Sequence, residues 1–260
     1  MMYKVSFKLK KDAPRLEIDT LTPDCLCLCS AAEIKSVKIW RGKKEVPVSE
    51  HFEVSGEPGP TPEETMVVIE NCKPLVHYAG MFMSGGILKI KGSCGNYVGS
   101  RMTGGIIEIE GDVGDMAANE MKAGKLIVKG NAGNYLGSAW WGGTTGMTGG
   151  QVVVEGNVGE MCGQWMEGGY IRVKGNAGDF LGIKQVRGII LVEGDVGYAC
   201  GAMMTYGRII VLGNVEVLPT YEPDGTYDEL NIFDEVIKGP FQLYKGDISE
   251  DGKGDLYVKK

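Results

Sequence analysis

Between Ile87 and Val211 the chain repeats one short hydrophobic pattern: "ILKIKG", "IIEIEG", "KLIVKG", "QVVVEG", "YIRVKG", "IILVEG" and "RIIVLG". The second and fourth positions are apolar every time: Leu88/Ile90, Ile107/Ile109, Leu126/Val128, Val152/Val154, Ile171/Val173, Ile190/Val192 and Ile209/Val211. A period of two with β-branched residues predicts strands that bury one face. At roughly 1.5–3 kcal/mol per buried aliphatic side chain, such a stack builds a substantial core. The fifth position points outward and alternates in sign, through Lys91, Glu110, Lys129, Glu155, Lys174 and Glu193. Parallel rungs about 4.8 Å apart would set each Lys beside a Glu. Exposed pairs of this kind contribute a few tenths of a kcal/mol each, so their main expected effect is on register.

The strands keep time with glycine. The second glycine of each "GG" falls at Gly86, Gly105, Gly124, Gly150, Gly169, Gly188 and Gly207, at intervals of 19 residues with a single interval of 26. The extra seven residues lie between Ser138 and Met147. An earlier copy, "AGMFMSGG" (Ala79–Gly86), aligns with "VGSRMTGG" (Val98–Gly105) and places a first strand at Met66–Ile69. Behind the strands runs a G-x-x-G-x-x-x-G turn: Gly92/Gly95/Gly99, Gly130/Gly133/Gly137, Gly156/Gly159/Gly163, Gly175/Gly178/Gly182 and Gly194/Gly197/Gly201. The position after the first turn glycine is Ser93, Asp112, Asn131, Asn157, Asn176, Asp195 or Asn214. Glycine, and after it Asn and Asp, tolerates positive φ, so these columns are expected to turn the corner of every rung. Met83, Met102, Met121, Met147, Met166 and Met204 form a further column that reads as core, broken by Gln185. A fixed period over this length is a solenoid signature and excludes a phosphate loop or a disordered linker. The fold class read here is all-β, a right-handed parallel β-helix of about eight 19-residue coils, since left-handed hexapeptide helices need a six-residue sub-period.

The ends lack the period. Residues 1–65 read as an α+β capping segment, 66–217 as the glycine-repeat β-helix, and 218–260 as a C-terminal tail or cap that shields the open end. Within them "YKVSFKLK" reads as a strand, and "SAAEIKSVKIW" as a short helix with the Ser30/Glu33 capping-box spacing. "FEVSGEPGPTPEE" reads as a linker and "GPFQLYKGDISEDGKGDLYVKK" as a hairpin. The seven-residue insertion, "WWGGTTG" or a one-residue shift of it, leaves the coil as a loop carrying Trp140 and Trp141, with Trp165 one rung on. Two readings stand for these tryptophans: a partner interface, or rings folded back on the barrel wall.

Composition narrows the function. A net charge of −7 and a pI of about 5.1 argue against a nucleic-acid-binding face, and no apolar run is long enough for a membrane span. No signal-peptide pattern opens the chain, so the expected location is the cytoplasm. Seven cysteines then read as free thiols. Cys25, Cys27 and Cys29 in "DCLCLCS" would share one apolar face of an extended segment and match no zinc or iron–sulfur spacing. Cys162 and Cys200 hold the same phase two coils apart, roughly 10 Å by rung spacing and too far for a disulfide. His51 and His77 sit in no ligand spacing, and His77 reads as a turn residue. No nucleotide-binding or nucleophile-elbow motif is present, so no catalytic, cofactor-binding or metal residue is assigned.

The repeats "GGIIEIEGDVGDMAANEMKAGKLIVKGNAGNYLGS" resemble the C-terminal domain of the large subunit of glutamate synthase. Together with "TPDCLCLCSAAEIKSVKIWRGKKEVPVSEHFEVSG" (Thr22–Gly56) they resemble the C subunit of formylmethanofuran dehydrogenase more closely. "CLCLC" itself is not a feature of that family segment. The resemblance implies a non-catalytic subunit in a cytoplasmic complex that reduces CO2 at a tungsten- or molybdenum-pterin site. That complex condenses the formate with methanofuran at a dinuclear metal site, with electrons arriving through iron–sulfur clusters. The implied partners are a pterin-metal formate dehydrogenase-like subunit, an amidohydrolase-like subunit and iron–sulfur subunits; none of their ligands carries over to this chain. A glutamate synthase module and a subunit of a formyltransferase/hydrolase complex remain alternatives.

Overall fold

The structure is a computed structural model that describes residues 2–233 and 235–260. The repeat strands, Ile87–Gly92, Thr103–Ile109, Ala123–Val128, Thr148–Val154, Glu167–Val173, Arg187–Val192 and Arg208–Val211, lie side by side and parallel in chain order within a 13-stranded sheet. Their register superposes equivalent positions: Leu88 faces Ile107, Leu126 faces Val152, and Ile171 faces Ile190. The second and fourth positions of all these strands are fully buried, as their alternation predicts. The methionine column is buried with them. Gln185 is buried in the same column, where its Nε2 donates to the carbonyls of Arg187 and Gly188. The chain is therefore all-β, built on a large and mostly parallel sheet.

The repeat is continuous beyond the strands. Val113, Ala132, Val158, Ala177 and Val196 form a second line of parallel bridges in the corners. Corner amides also climb the stack by 19 residues, as in Gly111 to the Gly92 carbonyl and Gly130 to the Gly111 carbonyl, both at 3.1 Å.

Aperiodic segments add strands at both edges of the parallel stack. Thr65–Cys72 pairs in parallel with Tyr3–Leu9, which pairs antiparallel with Phe52–Gly56. At the far end Gly254–Lys259 pairs in parallel with Arg208–Val211, and Glu235–Gly246 and then Glu222–Ile232 follow antiparallel. The last two of these strands fold over the outer face of the sheet. There Leu230, Ile232, Ile237, Phe241 and Leu243 make a second apolar cluster with Tyr170, Leu191, Ile210 and Tyr257. The expected C-terminal hairpin is present.

Three local expectations change. "FEVSG" is a strand rather than linker, because its residues find a full antiparallel partner in Val5–Leu9. In "SAAEIKSVKIW" only Ala31–Ile34 is helical, with the Ser30 N–H donating to Glu33 Oε2 at 2.8 Å; Lys38–Arg41 is a strand. The fifth-position charges pair only in part, at Lys174–Glu155 (3.3 Å), while Lys91 reaches back to Glu70 (3.5 Å). Tighter pairs involve the third position: Lys89 meets Glu108 of the same position, and third-position Arg172 reaches fifth-position Glu193, both at 2.8 Å. Long exposed side chains take whichever neighbour costs least entropy to reach.

Candidate functional site

The corners hold the densest chemistry of the chain, and their glycines serve two separate needs. The last glycine of each motif turns the chain as expected: Gly137 and Gly163 have φ of 67° and 72°, and Gly99, Gly182 and Gly201 share that left-handed conformation. The first glycine does so only at Gly92, which ends its strand with φ of 114°; Gly130, Gly156, Gly175 and Gly194 stand in bends without positive φ.

The middle glycines correct the expectation outright. Gly95, Gly133, Gly159, Gly178 and Gly197 neither adopt positive φ nor lie in a turn. Four of them directly follow a corner-bridge residue, Ala132, Val158, Ala177 or Val196. Their need is space. A Cβ would lie 2.5 Å from His77 Nδ1 at Gly95, 2.3 Å from Asp115 Oδ1 at Gly133, and 2.1 Å from Asn134 Oδ1 at Gly159. At Gly178 it would meet the Gly159 carbonyl carbon at 2.8 Å, and at Gly197 Asp179 Oδ1 at 2.2 Å. The first position is crowded too, at 2.5 Å from Asn131 Oδ1 for Gly156. These positions are glycine because the rung beneath leaves no room for a side chain.

The Asn/Asp column likewise departs from its expected role. Its members are not at positive φ; each side-chain oxygen accepts the backbone N–H of its counterpart one rung on. The chain runs Ser93 to Asp112 (3.1 Å), Asp112 to Asn131 (2.7 Å), Asn131 to Asn157 (2.9 Å), Asn157 to Asn176 (2.8 Å), Asn176 to Asp195 (2.9 Å) and Asp195 to Asn214 (2.7 Å). A second ladder joins Asn96 to Asp115 and Asp115 to Asn134. Its foot is His77, whose Nδ1 accepts the Asn96 N–H at 3.0 Å. His77 is therefore a buried strand residue rather than a turn residue, and its position 19 residues before Asn96 is the signal that identifies its role. Burial, followed by the Arg15 charge, lowers its pKa, which keeps the imidazole neutral and Nδ1 free to accept.

Bulky residues occupy left-handed backbone beside these ladders, where glycine would be unstrained. Tyr97, Tyr135 and Phe180 do so in one column, and Phe82, Arg101, Trp165, Lys184 and Met203 in the next. The tryptophan loop packs across the first half of both columns. Tyr78 and Tyr97 stack at 4.7 Å, and the Trp140 ring lies 5.1 Å from Tyr97. Arg101 is held between aromatic rings, 5.9 Å from the Phe82 centroid and 4.8 Å from Trp140. Glu120 binds Arg101 Nε at 2.7 Å and accepts the Trp140 N–H at 3.1 Å. Trp141 meets Tyr135 edge-on at 5.1 Å, donates from Nε1 to the Tyr97 hydroxyl, and remains 61% exposed. Trp140 thus folds back on the wall while Trp141 faces outward. Trp165 lies at the root of the insertion, its carbonyl accepting the Gly146 N–H at 2.8 Å.

Cys162 and Cys200 are fully buried and unpaired, and burial pushes both thiols up to about 12. Cys25, Cys27 and Cys29 do not share an apolar extended face. Thr22 caps a short helix, Pro23–Leu26, and turns Cys25 out to solvent, leaving Cys27 and Cys29 half-buried. Burial raises the pKa of both half-buried thiols. Among the described residues no group of three or more His, Cys, Asp or Glu side chains is arranged to hold a metal ion, and no helix is long and apolar enough to cross a membrane.

No protein-family model matches the chain. Over 81 residues it is 40% identical to the C subunit of molybdenum-containing formylmethanofuran dehydrogenase 1 of Methanosarcina barkeri, a stretch that is 31% of this chain and 27% of the relative. Over 78 residues it is 34% identical to the C subunit of tungsten-containing formylmethanofuran dehydrogenase 2 of Methanothermobacter wolfeii, 30% of this chain and 29% of that one. The matched stretches thus span less than a third of the length of these curated relatives. In structure it superposes with a TM-score of 0.88 and 25% identity on a chain from the formyltransferase/hydrolase complex FhcABCD of Methylorubrum extorquens, determined with methylofuran, covering 98% of this chain and 99% of that one. The resemblance to formylmethanofuran dehydrogenase C subunits is thereby supported: the chain's curated relatives are C subunits of formylmethanofuran dehydrogenases of the molybdenum and tungsten types.

Proposed function

We propose that the chain is a non-catalytic structural subunit of a formylmethanofuran dehydrogenase complex, which reduces CO2 and fixes it on methanofuran. The observation that carries this reading is the pairing of a 40% identical segment in a named C subunit with near-complete structural overlap on a chain of a related multi-subunit complex. The disposition of the reactive groups agrees with it. His77 is engaged in a backbone ladder, and the buried thiols of Cys162 and Cys200 are too weakly acidic to act as nucleophiles. Pterin-bound tungsten or molybdenum, iron–sulfur clusters and the dinuclear site then belong to the partner subunits.

In this reading residues 66–217 wind as a right-handed parallel β-helix, residues 1–65 and 218–260 cap it, and the stiff cylinder fixes two catalytic subunits at a set separation. The two parallel lines, strands and corners, repeating at one 19-residue period support the coil. Trp141, exposed at the tip of a loop braced by Trp140 on Arg101 and Tyr97, is proposed as a contact for a neighbouring subunit, with Trp165 beside its root. The full-length structural match favours a second reading, the corresponding subunit of a formyltransferase/hydrolase complex.

Anaerobic purification of the native complex, with metal analysis and intact mass, tests the assignment. Tungsten or molybdenum with iron and several co-purifying subunits is the expected result. Neither metal in an intact assembly transfers the assignment to the hydrolase complex; flavin and iron without a pterin metal transfers it to glutamate synthase. A chain recovered alone overturns the subunit reading.

A further inference from the structure

The second column of left-handed residues is covered by the Trp140 loop in its first half and leaves a notch in its second. At the filled end Arg101 lies over Phe82 from the preceding rung, receives the Trp140 ring on a second approach, and is neutralised by Glu120 from the next rung. At the open end the same arrangement begins again. Lys184 lies over Trp165 from the preceding rung, 4.6 Å from the ring centroid. The next-rung position, held by Glu120 in the first case, is Met203, which is 39% exposed. Trp165, Lys184 and Met203 all have positive φ, at 56°, 58° and 58°, so three adjacent rungs hold bulky side chains outward at a backbone cost. Together with Val186, Thr205 and Glu250 they line a notch of about 160 Å³. Among the described residues no carboxylate comes within the 4.0 Å of an ion pair with Lys184, Glu250 included.

We propose that this notch docks an acidic–aromatic loop of a partner polypeptide, whose ring enters beside Trp165 and Lys184 and whose neighbouring carboxylate pairs with the Lys184 ammonium. The choice of occupant follows from charge. Arg101 is complete with one ring added by the Trp140 loop and one carboxylate supplied by Glu120; among the described residues Lys184 has no second ring over it and no carboxylate within ion-pair distance, and Glu250, which lines the same notch, lies beyond that distance. A cation poised over one aromatic face, in a notch lined by Met203, Val186, Thr205 and Glu250, complements an aromatic side chain whose neighbouring Asp or Glu lies on the Lys184 side. The proposal rests on the subunit reading only in requiring a polypeptide partner.

Zero-length carbodiimide coupling of the intact complex, followed by peptide mass spectrometry, tests it. The expected product joins Lys184 to a partner Asp or Glu within two residues of Trp, Tyr or Phe. Lys184→Glu should weaken partner retention about tenfold and Lys184→Arg should preserve it, with unchanged thermal unfolding of the free chain in both. Coupling of Lys184 to its own Glu250, coupling to a carboxylate with no aromatic neighbour, or full retention by Lys184→Glu overturns the proposal. If the chain purifies alone, the subunit reading fails separately. The notch is then decided by acetyl-Gly-Gly-Trp-Glu-Gly-Gly-amide at about 1 mM, the range of a weak single-loop contact. Saturable binding by the full chain that is lost in Trp165→Ala sustains the proposal, and its absence overturns it.

Discussion

Strands and corners of the same unit tolerate change in opposite ways. The second strand position is Leu, Ile or Val from one rung to the next, and each is fully buried with its counterparts above and below. Interchange is possible there because burial is non-directional and neighbouring aliphatic groups repack around a methyl more or less. In the corners the contacts are between backbone atoms of successive rungs and one short polar side chain. A Cβ at Gly133 would meet the Asp115 carboxylate and two backbone atoms of the rung below within 2.8 Å. Rung spacing is therefore set in the corners, and the strands fill the space this spacing leaves.

The comparison breaks most directly at that glycine. Gly133→Ala adds one methyl group and should cost about 3 kcal/mol, the upper range for overpacking, because Asp115 and the Gly114 backbone must both move. The reading is a urea unfolding midpoint, and a loss under about 0.5 kcal/mol, the range of neutral surface changes, would show that the rungs slide freely. Asn157→Ala should come next, at about 1–2 kcal/mol, since it strands the Asn176 N–H that Asn157 Oδ1 accepts at 2.8 Å. Asn157→Asp keeps the acceptor, as Asp112 and Asp195 do in the same ladder, and should fall close to wild type. Equal losses in both variants would assign the effect to charge or packing rather than to the ladder. Removing one methyl from a strand, Ile190→Val, should cost about 1 kcal/mol, less than adding one in a corner. The comparison fails if that order is reversed.

The same contrast explains what was legible in the sequence. Strand burial shows in a window of a few residues, so Leu88/Ile90 through Ile209/Val211 are identified from alternation alone. The corner column of Asp112, Asn131 and Asn157 is equally visible as a pattern, but its cause is not, because each oxygen's partner lies 19 or 26 residues further on. The middle glycines are hidden in the same way: Gly159 and Gly197 are required by Asn134 and Asp179 of the rung beneath, not by the backbone around them. Local reasoning assigns such residues to positive φ, whereas the structure gives that conformation to Tyr97, Tyr135 and Phe180, for which sequence offers no signal except phase. In the N-terminal segment the decisive signal is local. Thr22 followed by Pro23 and Asp24 is a helix start, with a capping hydroxyl, proline in the first turn and an early acid, and it rules out an extended Cys25–Cys29 segment. The Trp140 cradle was beyond reach because it joins Phe82, Arg101, Glu120 and the insertion across several rungs.

His77 offers the mildest and most specific test of the corner ladder. It stands where an Asn or Asp would continue the column below Asn96, and its Nδ1 accepts the Asn96 N–H only while that nitrogen is unprotonated. Burial, with Arg15 adding to it, lowers the folded-state pKa below the ordinary histidine value. The unfolded chain therefore takes up the proton first as pH falls. The stability linked to His77 is present above about pH 6.5, the ordinary histidine value, and is lost as pH drops through the lowered folded value. His51 is shifted in the same direction, by burial first and then by Arg41 and Lys10 against the opposing Glu50, so wild type carries two such contributions. His77→Asn supplies a side-chain oxygen in place of Nδ1. It should leave stability at pH 7.5 within about 1 kcal/mol, the net worth of one hydrogen bond, and should flatten the acid dependence without abolishing it. Unfolding midpoints at pH 7.5, 6 and 5 measure the difference. Parallel curves for the two proteins would mean that the foot of the ladder contributes nothing to acid sensitivity and that His77 is held there by packing alone.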